Sequence, residues 1–200
     1  LVRGLFVTFE GPEGAGKSTQ VELLRSALAD RAPVVTREPG GTPLGERVRE
    51  LLLRTGVDMT PGAEMLLFMA ARAELVNRVI GPALAAGRIV IADRYHDSTL
   101  AYQGGARGAP TWWPAWFPRP DRTFLLDVPP ELGLARARDR GHPDRLESED
   151  LAFHRAVAAA YGRLAEAEPE RFVRLDATGP PEAVHRAVLA ALAGPPVLVP

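Results

Sequence analysis

Two hundred residues with 46% hydrophobic content and a formal net charge of −1 suit one α/β domain over residues 1–200, and they supply no basic field for nucleic acid. Cysteine is absent, which removes disulfides, thiolate nucleophiles and cysteine metal sites together. No apolar run is long enough to span a membrane and no signal peptide opens the chain, so a cytoplasmic location is expected.

Leu5-Phe6-Val7-Thr8-Phe9 predicts a strand and Thr19-Gln20-Val21-Glu22-Leu23-Leu24 a helix. Between them, Gly11-Pro12-Glu13-Gly14-Ala15-Gly16-Lys17-Ser18-Thr19 satisfies G-x-x-x-x-G-K-[ST], the phosphate-binding P-loop pattern. Its glycines let the backbone curl so that successive N–H groups face phosphate oxygens, and the helix opening at Gly16 adds its partial positive charge. Lys17 is the only lysine among 24 Lys and Arg residues, retained where a compact point charge suits a phosphate better than a planar fork. The segment from Gly11 to Thr19 is therefore expected to hold the phosphates of a nucleotide, with Lys17 on the distal phosphates and the Ser18 hydroxyl ligating Mg²⁺. The alternative, a glycine-rich turn with a surface lysine, fits the strand-before, helix-after setting less well.

Farther along, Pro33-Val34-Val35-Thr36 predicts a short strand that ends in the Pro- and Gly-rich loop Arg37-Glu38-Pro39-Gly40-Gly41-Thr42. Leu44 to Arg54 has helical spacing. Thr60-Pro61 matches a helix start, and the helix from Pro61 is apolar almost all round, from Met65 to Ile80. Arg88 to Asp93 is a β-branched run that predicts a central parallel strand, and Ser98 to Gln103 looks helical. Gly104 to Pro120 predicts a loop whose Trp112, Trp113, Trp116 and Phe117 form a hydrophobic plug in preference to a base-stacking platform. Arg122 to Val128 predicts a strand, with a helix from Pro129; Phe153, Val157, Tyr161 and Leu164 mark the stripe of another helix. Arg171 to Asp176 predicts a last strand, Glu182 to Leu192 a last helix, and Val197-Leu198-Val199 a short apolar tail. Strands alternating with helices predict a parallel sheet covered on both faces.

Ligands of such sheets sit at the carboxyl ends of the strands, which here carry the P-loop, Arg37-Glu38-Pro39, Asp93-Arg94, Asp127 and Asp176. Asp93 is expected to be the outer Mg²⁺ partner, ahead of Asp127, because Arg94 beside it can hold a second phosphate bidentately. Asp127 also fits a helix N-cap before Pro129-Pro130. The arginines from Arg136 to Arg145 fit a mobile lid over residues 138–149 better than a solvated helix face, given the Gly141-His142-Pro143 break.

Several of these motifs, in this order, resemble the thymidylate kinases among the nucleoside-monophosphate kinases. They are Phe9 to Thr19, Arg37 to Thr42, Leu67-Phe68-Met69-Ala70-Ala71-Arg72, Asp93 to Gly105 and Asp144-Arg145-Leu146-Glu147. The resemblance implies a P-loop NTPase three-layer fold with a five-stranded parallel sheet, transfer of the ATP γ-phosphoryl group to dTMP with Mg²⁺, and a homodimer. It implies that Phe68 stacks on thymine, Arg72 reaches a base carbonyl and Ser98 or Gln103 reads the remaining base edge. Tyr102 would lie against the deoxyribose, Glu13 on the 3′-hydroxyl and Arg94 on the acceptor phosphate. Arg37 and Pro39 fall on the substrate side. The P-loop interior holds no arginine, so the charge on the transferred group is expected to be met from Arg136, Arg138, Arg140 or Arg145.

A GTPase switch needs an N-K-x-D motif, which the lone asparagine, Asn77, and the lone lysine exclude. A deoxynucleoside kinase needs a base for a neutral hydroxyl, whereas the arginine supply favours a monophosphate acceptor; the resemblance implies dTMP over other monophosphates.

Overall fold

β1 (Phe6–Glu10) is buried at every position, as a continuous apolar run requires of a strand with neighbours on both edges and helices on both faces. The computed structural model describes residues 4–139, 141 and 143–193. Around β1 stand β2 (Val34–Arg37), β3 (Val90–Asp93), β4 (Arg122–Asp127) and β5 (Phe172–Asp176), in the order β2-β3-β1-β4-β5 and parallel throughout. Registers such as Thr8 opposite both Ala92 and Thr123 bring the carboxyl ends of β1, β3 and β4 to one edge.

Alternation along the strands divides the core. Val7, Phe9, Ile91, Phe124 and Leu126 face α1 (Lys17–Ala27) and α8 (Pro181–Ala193), through Val21, Leu24, Val184 and Val188. Phe6, Val90 and Ala92 face α3 (Pro61–Leu75), through Met65, Met69 and Leu75. Leu125 packs against α7 (Leu151–Ala167), through Val157, Ala160 and Tyr161. The expected three-layer α/β fold with a five-stranded parallel sheet is thus observed.

Thr42 caps α2 (Pro43–Leu53) and Thr60 caps α3, each followed by proline at the first helical position, as the sequence indicates. The long helix from Pro61 is interrupted: α3 passes through a π segment, Val76–Ile80, into α4 (Gly81–Ala85). The helix expected over Ser98 to Gln103 is present, as α5 (His96–Thr99) running into a π segment, Leu100–Ala106. α6 (Pro130–Arg138) begins without a side-chain cap, so Asp127 is not its N-cap. Trp113 and Phe117 plug the core beneath Tyr95, while Trp112 and Trp116 are half exposed, and none of the four lines a cavity described below. The Val197–Val199 tail lies outside the described residues. Among the described residues, no helix is long and apolar enough to cross a membrane.

Candidate active site

The P-loop leaves β1 through Gly11 at φ +139° and enters α1 through Gly16 at φ +88°, a left-handed conformation open to glycine. No side chain caps α1, so its first-turn N–H groups are free to face phosphate oxygens. Gly14 fits for a different reason: a Cβ there would meet the Gly133 carbonyl oxygen at 1.9 Å, and a Cβ on Gly133 would meet that of Glu13 at 2.2 Å. Two glycines therefore let α6 seat directly against the loop. Lys17 is buried and donates to the carbonyls of Gly11 (3.1 Å) and Pro12 (2.7 Å). Burial, with Arg94 nearby, lowers its pKa to about 8, against the pull of Glu13 and Asp93.

A cavity of about 280 Å³ opens beside the loop. Its lining includes Glu13, Lys17, Ser18, Asp93 and Arg94 at the strand ends, Arg37, Glu38, Pro39, Arg49, Phe68, Ser98, Tyr102 and Gln103, and Asp144, Leu146 and Glu147 from the segment after α6. Arg94 is the central cation. Its backbone sits at φ +69°, uncommon outside glycine, and is held by Arg94 N–H donating to Phe9 O (2.9 Å) and Tyr95 N–H to Glu10 Oε1 (2.7 Å). The guanidinium donates to Glu13 Oε1 (2.7 Å), the Tyr102 hydroxyl (3.2 Å) and Gly11 O (3.1 Å). Burial alone would raise the Glu13 carboxyl; Arg94, Lys17 and the Tyr102 hydroxyl outweigh it and hold it at about 2.

Ser18 Oγ donates to Asp93 Oδ2 at 2.6 Å, a hydroxyl and a carboxylate side by side at the loop. That all-oxygen pair suits Mg²⁺, a hard cation that takes few protein ligands beside substrate phosphates. Asp127 is instead paired with Arg174 (2.8 Å) and lines neither cavity, so Asp93 is the carboxylate at hand.

Of the other expected site residues, Phe68, Ser98, Tyr102, Gln103, Arg37 and Pro39 all line the cavity. Phe68 is also a core residue, packed with Leu52 and Leu146. Arg72 does not reach the cavity. It is 1% exposed and its donors go to Glu38 (2.7 Å), Thr99 Oγ1 (2.9 Å) and Tyr95 O (3.1 Å), with His96 Nδ1 at 3.0 Å.

Among the described residues, Arg136, Arg138 and Arg145 do not line the cavity beside the P-loop. Arg136 donates to the carbonyls of Ala177 and Thr178, both at 2.8 Å, and lines a second cavity of about 280 Å³ behind the P-loop with Ala15, Thr19, Gln20 and Pro181. Arg145 is docked on α2 and α3, donating to Leu52 O (2.8 Å) and pairing with Glu64 (2.6 Å). Arg138 is exposed near the end of α6. Arg140, with His142, lies outside the described residues.

Sequence reasoning missed Glu10, whose carboxylate accepts the hydroxyls of Ser98 (2.6 Å) and Tyr161 (2.8 Å) behind Arg94. Burial, reinforced by Asp97, raises its pKa to about 7 against Ser98, Arg94 and Tyr161. A carboxylate closing an apolar strand was the available signal, whereas Tyr161 was indistinguishable from the α7 core stripe. Arg49, which lines the cavity and donates to Pro39 O (2.9 Å), carried no signal beyond a charge on α2.

Comparison with known proteins agrees with this geometry. The family model described as Thymidylate kinase matches residues 9–188. The chain is 51% identical over 199 residues to the thymidylate kinase of Deinococcus radiodurans, covering 95% of this chain and 97% of that one. It is 54% identical over 195 residues to that of Thermomicrobium roseum, covering 92% of each. The crystal structure of thymidylate kinase from Ehrlichia chaffeensis superposes with a TM-score of 0.75 at 31% identity, over 96% of this chain and all of that one. With a matching P-loop, an Asp93-Arg94 strand end and near-complete coverage by such relatives, this chain belongs to the thymidylate kinase family.

Proposed function

We infer that this chain transfers the γ-phosphoryl group of ATP to dTMP, giving dTDP and ADP. The observation that carries the reading is the cavity in which the P-loop, Arg94 and an aromatic wall meet. A monophosphate oxygen is already a nucleophile, so the protein's task is to bring two anions together and offset their repulsion. Lys17 neutralises the distal phosphates of ATP, its N–H groups turning from the Gly11 and Pro12 carbonyls to the ligand. Arg94, rigid between Glu13 and Tyr102, holds the acceptor phosphate in line. Phe68 carries the base, Tyr102 the sugar, and Glu13, ionised at neutral pH, accepts from the sugar hydroxyl.

Ser18 and Asp93 would hold Mg²⁺, which would supply positive charge to offset the charge of the phosphates. The second cavity, bounded by the P-loop and by the Arg136 guanidinium, suits the base of ATP. A homodimer is supported by apolar surface left uncovered by the described residues: Ala63, Leu66 and Ala70 are exposed along one face of α3.

The test is ADP release from ATP with thymidine, dTMP, dCMP and AMP as acceptors. dTMP is expected to be preferred and thymidine inert; comparable rates with thymidine or AMP would overturn the reading.

A further inference from the structure

Glu64, in the first turn of α3, is 1% exposed and does not itself line the cavity. We propose that Glu64 is a positioning residue that fixes the amide orientation of Gln103, and so selects an acceptor base carrying a ring N–H: thymine or uracil over cytosine. The proposal rests on dTMP being the acceptor and on Gln103 facing its base.

Glu64 Oε2 pairs with Arg145 (2.6 Å), and Arg107 stands 3.4 Å from each carboxylate oxygen while pairing with Glu149 (2.6 Å). Every partner is a donor. Oε1 takes the remaining bond, from Gln103 Nε2 at 2.8 Å. A carboxylate paired with two guanidiniums accepts, so the amide turns its NH₂ toward Glu64. The flipped amide would set two acceptor oxygens against each other in a buried site. With Nε2 committed, Gln103 Oε1 receives no bond from the described residues, and Gln103 lines the cavity together with Phe68. Ser98, the other candidate reader, already spends its hydroxyl proton on Glu10 at 2.6 Å. The cavity therefore presents an acceptor at Gln103. Thymine and uracil meet it with N3–H; cytosine meets it with the N3 lone pair, and a site built around such a bond rejects a mismatched edge strongly.

The experiment compares kcat/KM for dTMP and dCMP at saturating ATP in the parent, Glu64→Gln, Glu64→Gln with Gln103→Glu, and Gln103→Met, with melting temperatures recorded. In Glu64→Gln the new amide can donate, so Gln103 is free to rotate. The dTMP-to-dCMP ratio is expected to fall about tenfold or more, mainly through KM for dTMP, with KM for ATP within about twofold. In the exchanged pair the carboxylate stands at position 103 and the amide at position 64. The carboxylate accepts from that amide and again offers an oxygen to the base, so the ratio is expected to return to within about threefold of the parent. Glu64→Asp, which keeps the charge for both arginines but withdraws the oxygen from Gln103, replaces Glu64→Gln if that variant does not fold. A lower melting temperature with the parent ratio kept, or no recovery in the exchanged pair, would overturn the proposal. A parent ratio in Gln103→Met would show that Gln103 does not face the base, and would remove the footing of the proposal whatever Glu64 does.

Discussion

Arg94 combines an uncommon left-handed backbone with a guanidinium shared among Glu13, Tyr102 and Gly11 O. Both features fix where its charge lies before a ligand arrives, which is the property an acceptor clamp needs. Arg94→Ala is expected to raise KM for dTMP by about a hundredfold while KM for ATP moves within about threefold; equal effects on both would show that Arg94 is not the clamp. Lys17→Ala should abolish transfer with little change in melting temperature, because the lysine bonds only to two loop carbonyls. The carboxylates at either end of the P-loop's first turn carry opposite pH signatures. Glu13, held at about 2 against an ordinary 4.5, contributes stability that is full above pH 4.5 and is lost as pH falls toward 2. Glu10, raised to about 7, takes up a proton more readily when folded, so its contribution is full below pH 4.5 and is lost as pH rises through 7. Melting temperature against pH should therefore fall less steeply on the acid side in Glu13→Gln than in the parent. In Glu10→Gln the decline between about pH 4.5 and 7 should flatten, and a parent-like slope in either variant would contradict the assignment.

Helices and loops differ in how well the chain announces them. The P-loop, the caps at Thr42 and Thr60, and the strand ending in Asp93 rest on neighbours in sequence, where spacing and capping chemistry act, and each is observed as expected. The π segments after Leu75 and Thr99 were not legible, because widening one turn leaves the apolar pattern along the chain nearly unchanged. Long-range groups were still less so: Glu10 meets Tyr161 across 151 positions and Glu64 meets Gln103 across 39, and no local pattern records such a meeting. The arginines after Pro130 show the cost of reading charge from sequence alone. Arg136 and Arg145 are near in sequence, yet α6 turns the first toward the β5–α8 loop while the second docks on α3. Arg136→Ala is accordingly expected to raise KM for ATP about tenfold, with turnover and KM for dTMP within a few-fold. A hundredfold fall in turnover with unchanged KM for ATP would return Arg136 to the transferred phosphoryl group.

At the scale of the molecule, the strand ends place the P-loop and Asp93-Arg94 at one edge of the sheet, and the helices around it bring in the remaining lining. On α3 different duties are divided along one helix. Phe68 faces the cavity and Met65, Met69 and Leu75 the sheet, while Leu66 is 56% exposed. Ala63 and Ala70 flank Leu66 on that outward face, and small residues around a leucine allow a second helix to approach closely. Leu44 and Leu51, also exposed, stand two turns apart on the neighbouring α2 and widen the apolar surface. Pairing about a two-fold axis would bury the same face on both subunits, and it would brace the helix that carries Phe68 against the base. A charge on that face would be buried without a partner at the interface yet solvated in a monomer. Leu66→Glu is therefore expected to halve the particle mass measured by light scattering at micromolar concentration, with far-UV circular dichroism unchanged. A parent that is monomeric at that concentration would remove the dimer, whereas a dimeric Leu66→Glu would move the interface to another face.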